Sequence, residues 1–423
     1  MNSRQFQHWA RFQPARTVGM IRTVCLASLI VTLGACSSRN DNVQPGGDTG
    51  GDGNPPLGSE SELEGMFAFV ASRAADYGSG RIDRISLADG NVIDGSYPAA
   101  LSDIDIDTDG VHPYQIGRFN IDSITRFDAV DTSIVDYQYS VLDTGTVSAN
   151  PQDIAFVDSS KAYLTRRGSS KLWIINPDAA LADDFKIGEI DLGAYDIDLP
   201  NMTDAIIVDN KLFVLIERLL ELPQAQVPDK RAYVAVFNTI TDTEIDTNQG
   251  AGGLKGIELL VTNPTSLQYD EATGQIYLVG RGNYFESTEL TTDFHSGGIQ
   301  VIDPTTYQHS VILDDGTDTD NQGYFLQVEI IDAGLGYLVT YASFGDASLR
   351  TFNPSTGLLS DETIPELQNI DITTIAEGPD GHLWVGINDA SPGFYRIDLA
   401  TGLLAPEFVA TSLVPQGIAF ITP

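Results

Sequence analysis

From Gly65 onward, short runs of β-branched and aromatic residues alternate with turns rich in Gly, Asp, Asn and Pro. No stretch carries the sustained periodicity of a long helix. Alternation of this kind is typical of a chain that is built from many short strands. The pattern predicts an all-β domain over residues 65–423.

A short strand phrase recurs seven times within this domain. Its copies are Ser102–Ile106, Gln152–Phe156, Thr203–Ile207, Pro264–Gln268, Leu326–Ile330, Thr373–Ala376 and Gln416–Ala419. A unit that returns about every 50 residues is typical of propeller blades of four strands each. We therefore predict a seven-bladed β-propeller in which each copy is the innermost strand of one blade.

The C-terminal copy of the phrase has a special place in this prediction. Pro415–Phe420 closely resembles Pro151–Phe156, so the chain finishes by starting another blade. A propeller hides its free sheet edges when its last strand joins its first blade. We expect Ile418 and Phe420 to lie alongside Phe67–Ala71.

Two further phrases support the repeat. An aromatic residue is followed four positions later by a polar one at Phe69/Arg73, Tyr114/Arg118, Tyr163/Arg167, Phe213/Glu217 (with Arg218 beside it), Tyr277/Arg281, Tyr337/Tyr341 and Trp384/Asn388. Apolar strands also end in Asx-Pro or Thr-Gly turns, as at Trp173–Pro177 and Val301–Pro304. These phrases resemble the YVTN and NHL-like propeller families, and Gly378–Val385 is similar to the blade signature of the latter. The resemblance covers nearly all of residues 65–423 and implies an architecture rather than one activity.

The first 35 residues read as an export signal. They contain four Arg and no acid, followed by an apolar run, Val24–Leu33, that is too short to span a bilayer as a helix. The run ends in Leu33-Gly34-Ala35-Cys36, which resembles the lipobox of bacterial lipoproteins. That resemblance implies cleavage before Cys36 and lipidation of its thiol. Ser37 and Ser38 follow instead of Asp, which in that family favours the outer membrane.

Residues 36–64 are expected to form the lipidated Cys and a disordered tether, since they are rich in Gly, Asp and Pro and offer little to bury. The whole chain has a formal net charge of −36, and removal of the signal makes it more negative by four charges. Such a surface repels nucleic acid, so we expect none as a partner. We expect a monomer that is held to the membrane by its lipid.

Five Arg of the aromatic-to-polar phrase should share one face of the ring. The innermost strand of a blade begins where the second strand ends, which predicts the pairs Asp103–Arg118, Asp153–Arg167 and Asp204–Arg218. Arg73 and Arg281 have no acid at the matching position. The pairs would tie strands together. In the functional interpretation, Arg73 and Arg281, with Tyr341 and Asn388, form a receptor for an anionic or hydroxyl-rich ligand.

Long loops support a function for this face, which we call the top face. The connection from Arg281 to Gly298 carries Tyr284, Phe285 and His295. Long connections inside a compact repeat are often functional, and aromatic side chains provide stacking surfaces or anchors for a protein partner. We include these three residues in the candidate binding site.

A metal site is the second candidate. Asp105, Asp107 and Asp109 precede Gly110 with the alternate spacing that opens a calcium loop. The match fails further on, because Pro113 and Ile116 occupy the ninth and twelfth places. The same pattern also fits an inner strand that runs into an Asp-Gly turn. We expect no obligatory cofactor, with calcium as the one metal that the pattern accommodates.

Catalytic motifs are scarce in the sequence. It has no Gly-x-Ser-x-Gly elbow and no phosphate loop. Gluconolactonase-like propellers hold a metal with channel carboxylates and amides, and Asp103, Asp153, Asp204 and Asn388 are the residues here that resemble such a set. Three hypotheses follow: capture of a small ligand, for instance for an outer-membrane transporter; a protein scaffold in the envelope; and a metal-dependent, lactonase-like hydrolase. An enzyme is the least favoured of the three.

Overall fold

The computed structural model describes residues 63–93, 98–99, 101–131, 133–222, 225–283, 294–343 and 345–422. Within them the chain forms 34 strands and one helical turn, and no helix is long and apolar enough to cross a membrane. Seven sheets radiate as the blades of a propeller, and two small hairpins extend from the loops. The predicted seven-bladed architecture is confirmed.

Blades 1 to 3 use the first twelve strands. Blade 1 contains β1 (Phe67–Arg73), β2 (Gly80–Ser86), β3 (Val92–Ile93) and β4 (Pro98–Ala99). Blade 2 contains β5 (Ile104–Thr108), β6 (Pro113–Gly117), β7 (Ser123–Phe127) and β8 (Val135–Ser140). Blade 3 contains β9 (Pro151–Asp158), β10 (Lys161–Arg166), β11 (Lys171–Ile175) and β12 (Lys186–Asp191), with the helical turn α1 (Ala182–Phe185) before β12.

Blades 4 and 5 each carry an additional hairpin. Blade 4 contains β13 (Met202–Val208) and β14 (Lys211–Ile216), then the hairpin β15 (Leu219–Leu222) and β16 (Ala225–Pro228), then β17 (Tyr233–Asn238), β18 (Thr243–Glu244) and β19 (Ile257–Glu258). Blade 5 contains β20 (Pro264–Asp270), β21 (Gln275–Gly280), β22 (Gly298–Ile302) and β23 (His309–Asp314), followed by the hairpin β24 (Gly316–Thr317) and β25 (Asp320–Asn321).

The last two blades bring the chain back to its start. Blade 6 contains β26 (Tyr324–Ile330), β27 (Gly336–Ser343), β28 (Asp346–Asn353) and β29 (Leu358–Ile370). Blade 7 contains β30 (Ile372–Glu377), β31 (His382–Ile387), β32 (Gly393–Asp398) and β33 (Val409–Ala410), and the final strand is β34 (Val414–Ile421). All seven predicted innermost strands take that place.

Strand β34 closes the ring by pairing antiparallel with β1. In this register Phe420 lies opposite Ala68, Ile418 opposite Val70 and Ala419 opposite Phe69. Blade 1 thus takes its innermost strand from the C terminus and its remaining strands from the start of the domain. The predicted closure is confirmed, and it removes the free edge that an open ring would expose.

Apolar side chains fill the spaces between the blades. Each of seven hydrophobic clusters lies at one interface between neighbouring blades, as where Ile104 and Ile106 of β5 pack against Phe69 of β1. The blade faces are apolar because strands buried on both sides need apolar residues at successive positions. With the apolar side chains packed between the blades, the polar ends of the strands lie at the two faces of the ring.

Polar contacts link neighbouring blades at the face opposite the top face. Lys161 Nζ donates to Thr239 O at 2.7 Å, and Lys211 Nζ donates to Pro304 O at 2.9 Å. Arg126 Nη1 reaches Pro177 O at 3.1 Å in the same way. The Asx-Pro turns at Pro177 and Pro304, and the Asn-Thr turn at Thr239, therefore present carbonyl groups to a cation of the preceding blade.

Candidate functional site

The seven polar positions predicted from the repeat lie together at the top face. Each closes the second strand of its blade: Arg73 ends β1, Arg118 follows β6, Arg167 follows β10, Arg218 follows β14, Arg281 follows β21, Tyr341 lies in β27 and Asn388 follows β31. Of the Arg residues, Arg73, Arg118, Arg167 and Arg281 are each at most 7% exposed. Their charges therefore depend on contacts within the protein or with a ligand rather than on water.

Blade 2 forms the predicted ion pair. Arg118 Nε lies 2.8 Å from Asp103 Oδ1, and Arg118 Nη1 lies 3.3 Å from Asp105 Oδ2. Burial raises the pKa of Asp105 to about 7, and the neighbouring guanidinium opposes this shift. The Asp103–Arg118 prediction is confirmed, and Arg118 serves as a tie between two strands.

The other two predicted pairs are wrong. Arg167 Nη2 contacts Glu217 Oε2 of blade 4 at 2.8 Å, and Arg218 Nε lies 3.8 Å from Asp196 Oδ2. Asp153 and Asp204 instead accept backbone N–H groups of the next blade, from Ala205 at 2.9 Å and from Leu267 at 2.6 Å, respectively.

A shift of strand register explains the error. In blade 2 the pairing of β5 with β6 is regular, so Asp103 lies beside Arg118. In the other six blades the innermost pair of strands contains a bulge or irregularity. In blade 3 this places Arg167 beside Asn150 instead of Asp153, as the bond from Arg167 N to Asn150 O at 3.0 Å shows. A bulge inserts a residue and turns the following side chains to a new neighbour.

Arg73 differs from the paired Arg residues of blades 2 to 4. It is 4% exposed, and its Nη1 atom has no hydrogen-bond partner within the described part of the chain. Its guanidinium carbon lies 4.1 Å from the centre of the Tyr77 ring. A cation–π contact of this kind stabilises a guanidinium by about 0.5–2 kcal/mol, which does not replace a carboxylate.

Tyr77, which the sequence analysis overlooked, is held in a strained backbone conformation. Its φ is 58°, in the left-handed region that a bulky side chain rarely adopts. Tyr77 N donates to Ala74 O at 2.9 Å, and Tyr77 O accepts a hydrogen bond from Ser102 Oγ at 2.9 Å. Strain of this kind often accompanies a functional constraint. The turn after β1 therefore fixes an aromatic ring over Arg73.

Blades 5 and 6 bring a second group of predicted residues together. The His295 ring stacks on Tyr324, with ring centres 4.4 Å apart, and Tyr324 lies opposite Tyr341 in the strand pairing. His295 Nδ1 is 3.5 Å from Oδ2 of the buried Asp315. No motif in the sequence points to Tyr324. Tyr284 and Phe285 lie outside the described residues, as does Cys36.

The predicted metal ligands of blade 2 face different partners. Asp105 contacts Arg118, and Asp107 Oδ1 accepts the Thr108 N–H at 2.6 Å. Asp109 lies in the turn at the opposite face, where its carboxylate accepts bonds from His112 N and Tyr114 Oη. Among the described residues, no group of three or more His, Cys, Asp or Glu is placed to hold a metal ion.

The residues that resemble the lactonase metal set are also engaged elsewhere. Asn388 Nδ2 donates to Asp371 Oδ2 at 2.7 Å, and Asp103 contacts Arg118. Asp153 and Asp204 share a hydrogen bond with each other while both are buried. Burial and the charge of Asp204 raise the pKa of Asp153, and burial raises the pKa of Asp204 to about 7. The two buried carboxyl groups therefore keep protons at a pH at which exposed carboxyl groups are ionised.

Comparison with known proteins supports the fold. No protein-family model and no curated protein matches the sequence. A candidate 6-phosphogluconolactonase from Bacteroides fragilis NCTC 9343 superposes with a TM-score of 0.55 at 13% identity, over 84% of this chain and 98% of that chain. A protein from Lactobacillus plantarum superposes with a TM-score of 0.55 at 11% identity, over 84% of this chain and 99% of that chain. Apo AztD from Citrobacter koseri superposes with a TM-score of 0.50 at 12% identity, over 84% of this chain and 98% of that chain. At such identities the likeness shows the propeller fold alone.

Proposed function

We propose that this protein is an envelope-anchored binding module that captures an anionic group at the top face of its propeller. The group belongs to a small ligand or to a protein partner such as an outer-membrane transporter. Arg73 carries the proposal, because it is a buried cation whose Nη1 has no acceptor within the described chain. A carboxylate or phosphate would supply the two-pronged acceptor that a guanidinium prefers.

The charge balance of the chain strengthens this interpretation. The sequence has 59 acidic residues against 23 Lys and Arg, so acids that could pair with a buried Arg are abundant. Arg118 and Arg167 have such partners at 2.8 Å. An unpaired buried charge lowers the free energy of unfolding by several kcal/mol. Such charges are found where they take part in binding a ligand. Tyr77, strained over Arg73, is the second feature that fits this role.

The proposal includes attachment to the outer membrane through the lipid on Cys36. It rests on the charged start of the chain, the short apolar run and the lipobox-like Leu33-Gly34-Ala35-Cys36. The Gly-, Asp- and Pro-rich residues that follow would act as a flexible tether and hold the propeller clear of the bilayer.

Titration of the full chain with succinate and with inorganic phosphate tests the binding proposal. We expect saturable binding of at least one of these anions by the wild-type protein, and at least a tenfold loss of affinity in Arg73→Gln. Arg126→Gln is the matched control, because it removes a charge of the opposite face. Equal anion binding by the wild type and by Arg73→Gln would contradict the assignment, as would no saturable binding of either anion.

A metal-dependent hydrolase is the other candidate. The fold of the Bacteroides fragilis protein accommodates it, but no cluster of ligands among the described residues favours it. The contacts of Arg73 and Tyr77 favour binding.

A further inference from the structure

A cleft between blades 4 and 5 opens on the top face, apart from Arg73 in blade 1. It has a volume of about 190 Å3 and is lined by Arg231, Leu260, Val261, Thr262, Val311 and Asp314, with Ser296 and Gly297 at one side. Pockets for drug-sized ligands measure about 300–1,000 Å3. This cleft therefore suits a compact molecule of a few heavy atoms.

The cleft carries one cation and one anion that do not pair with each other. Arg231 Nη1 donates to Leu260 O at 2.9 Å, and Asp314 Oδ1 accepts the Gly316 N–H at 2.8 Å. Neither side chain forms an ion pair with a described residue. Because Arg231 and Asp314 line the same small cleft without contacting each other, a ligand that carries both a negative and a positive group could pair with both.

The remaining wall of the cleft divides into a polar part and an apolar part. Thr262 Oγ1 and Ser296 Oγ lie 2.7 Å apart and share a hydrogen bond. Leu260, Val261 and Val311 supply aliphatic surface. Two hydroxyl groups can orient a carboxylate or an ammonium group, while the aliphatic surface accommodates a short apolar side chain.

Gln300 lies beneath this wall and adds a buried donor. It is fully buried, and its Oε1 accepts the backbone N–H groups of Leu260 at 2.8 Å and Val261 at 3.4 Å. Its Nε2 has no acceptor within the described chain. Leaving a buried amide donor unsatisfied costs about 1–3 kcal/mol. The Oε1 contacts join Gln300 to Leu260 and Val261, two of the residues that line the cleft.

We propose that this cleft binds a zwitterionic α-amino acid with a small aliphatic side chain. The carboxylate faces Arg231 and the Gln300 side of the cleft, the ammonium group faces Asp314, and the side chain packs on Leu260, Val261 and Val311. A zwitterion has no net charge, so the acidic surface of the protein does not repel it. The site is separate from the anion site at Arg73.

Calorimetric titration of the full chain with glycine, alanine, valine and leucine tests this assignment. Isovalerate is valine without the ammonium group, isobutylamine is valine without the carboxylate, and glucose serves as a neutral polyol. We expect saturable binding of alanine or valine, at least tenfold weaker binding of the two single-charge analogues, and no saturable binding of glucose.

Variants of the lining residues make the test specific. Arg231→Met and Asp314→Asn should each weaken amino-acid binding at least tenfold, and Val311→Phe should block it by filling the cleft. Lys230→Met is the matched control, because Lys230 pairs with Asp196 outside the cleft, and Arg73→Met controls for the other site. Lys230→Met and Arg73→Met should bind the amino acid with the affinity of the wild type. Absence of amino-acid binding, tighter binding of glucose, or affinities that the lining variants leave unchanged would overturn the proposal.

Discussion

The guanidinium carbon of Arg73 lies 4.1 Å from the centre of the Tyr77 ring, and Tyr77 adopts a left-handed φ of 58° to reach it. This contact joins a buried cation to a strained aromatic residue in one turn. It distinguishes Arg73 from Arg118 and Arg167, which have carboxylate partners.

Replacement of Tyr77 separates backbone strain from ring stacking. Tyr77→Gly should change the free energy of unfolding by less than about 1 kcal/mol, because Gly relieves the positive φ while the cation–π contact is lost. Tyr77→Ala should be about 1–2 kcal/mol less stable than Tyr77→Gly, since it loses the contact and keeps the strain. Urea unfolding curves measure both values. Equal stability of the two variants would contradict the strained backbone.

The link between the innermost strands of blades 5 and 6 depends on Gln268. Its Oε1 accepts the Ile330 N–H at 2.8 Å, and its Nε2 donates to Ile330 O at 3.1 Å. Gln268→Ala removes both of these bonds to buried backbone groups and should lower the free energy of unfolding by about 2–5 kcal/mol. The exposed Gln308→Ala should change it by less than about 0.5 kcal/mol. A similar effect of the two variants in urea unfolding would show that the link contributes little.

The raised pKa values of Asp153 and Asp204 predict a pH dependence of stability. The folded-state pKa of Asp204 is raised to about 7 from an ordinary value near 3.8, so the folded state retains a proton that the unfolded state has lost. The contribution of Asp204 to the free energy of unfolding is greatest below about pH 4 and declines as the pH rises to about 7. The pKa of Asp105 is also raised to about 7, so its contribution to stability declines over the same pH range.

Asp204→Asn should reduce that decline. The Asn carbonyl can still accept the Leu267 N–H and its amide can donate to Asp153, so the contacts persist without the titrating carboxyl group. Thermal unfolding from pH 4 to 8 should show a smaller loss of stability in Asp204→Asn than in the wild type. The exposed control Glu366→Gln should follow the wild type. A pH profile of Asp204→Asn that is parallel to that of the wild type would show that Asp204 does not cause the decline in stability.

The proposed attachment to the membrane predicts that Cys36 is lipidated. The wild-type chain expressed in a bacterial host should incorporate radiolabelled palmitate and fractionate with the outer membrane. Cys36→Ala should incorporate none and should appear in the soluble fraction, because its thiol is the predicted site of lipidation. Labelled Cys36→Ala protein would contradict the assignment.

The sequence predicted the architecture because the fold repeats itself. Seven copies of an inner-strand phrase determine the blade count, and the likeness of Pro415–Phe420 to Pro151–Phe156 reveals how the ring closes. The same repeat failed for side-chain partners in blades 3 and 4. Bulges shift the register there, and no residue type marks a bulge unambiguously.

The candidate site was predictable only in outline. The spacing places Arg73 and Arg281 at the top face, but Tyr77 and the cleft around Arg231 depend on loop conformation and on contacts between blades. Neither feature leaves a periodic signal in the sequence. Loops follow their own turn chemistry, and their contacts join residues that lie far apart in the chain.

Comparison of Arg73→Met with Arg167→Met in urea unfolding is the most direct test of the central claim. Arg167→Met removes the ion pair with the buried Glu217 carboxylate and should lower the free energy of unfolding by about 3–5 kcal/mol. Arg73→Met removes a buried charge that has no acid partner, so its stability should equal or exceed that of the wild type. A loss of stability in Arg73→Met as large as that in Arg167→Met would show that Arg73 is a structural tie, and would contradict its role as an anion receptor.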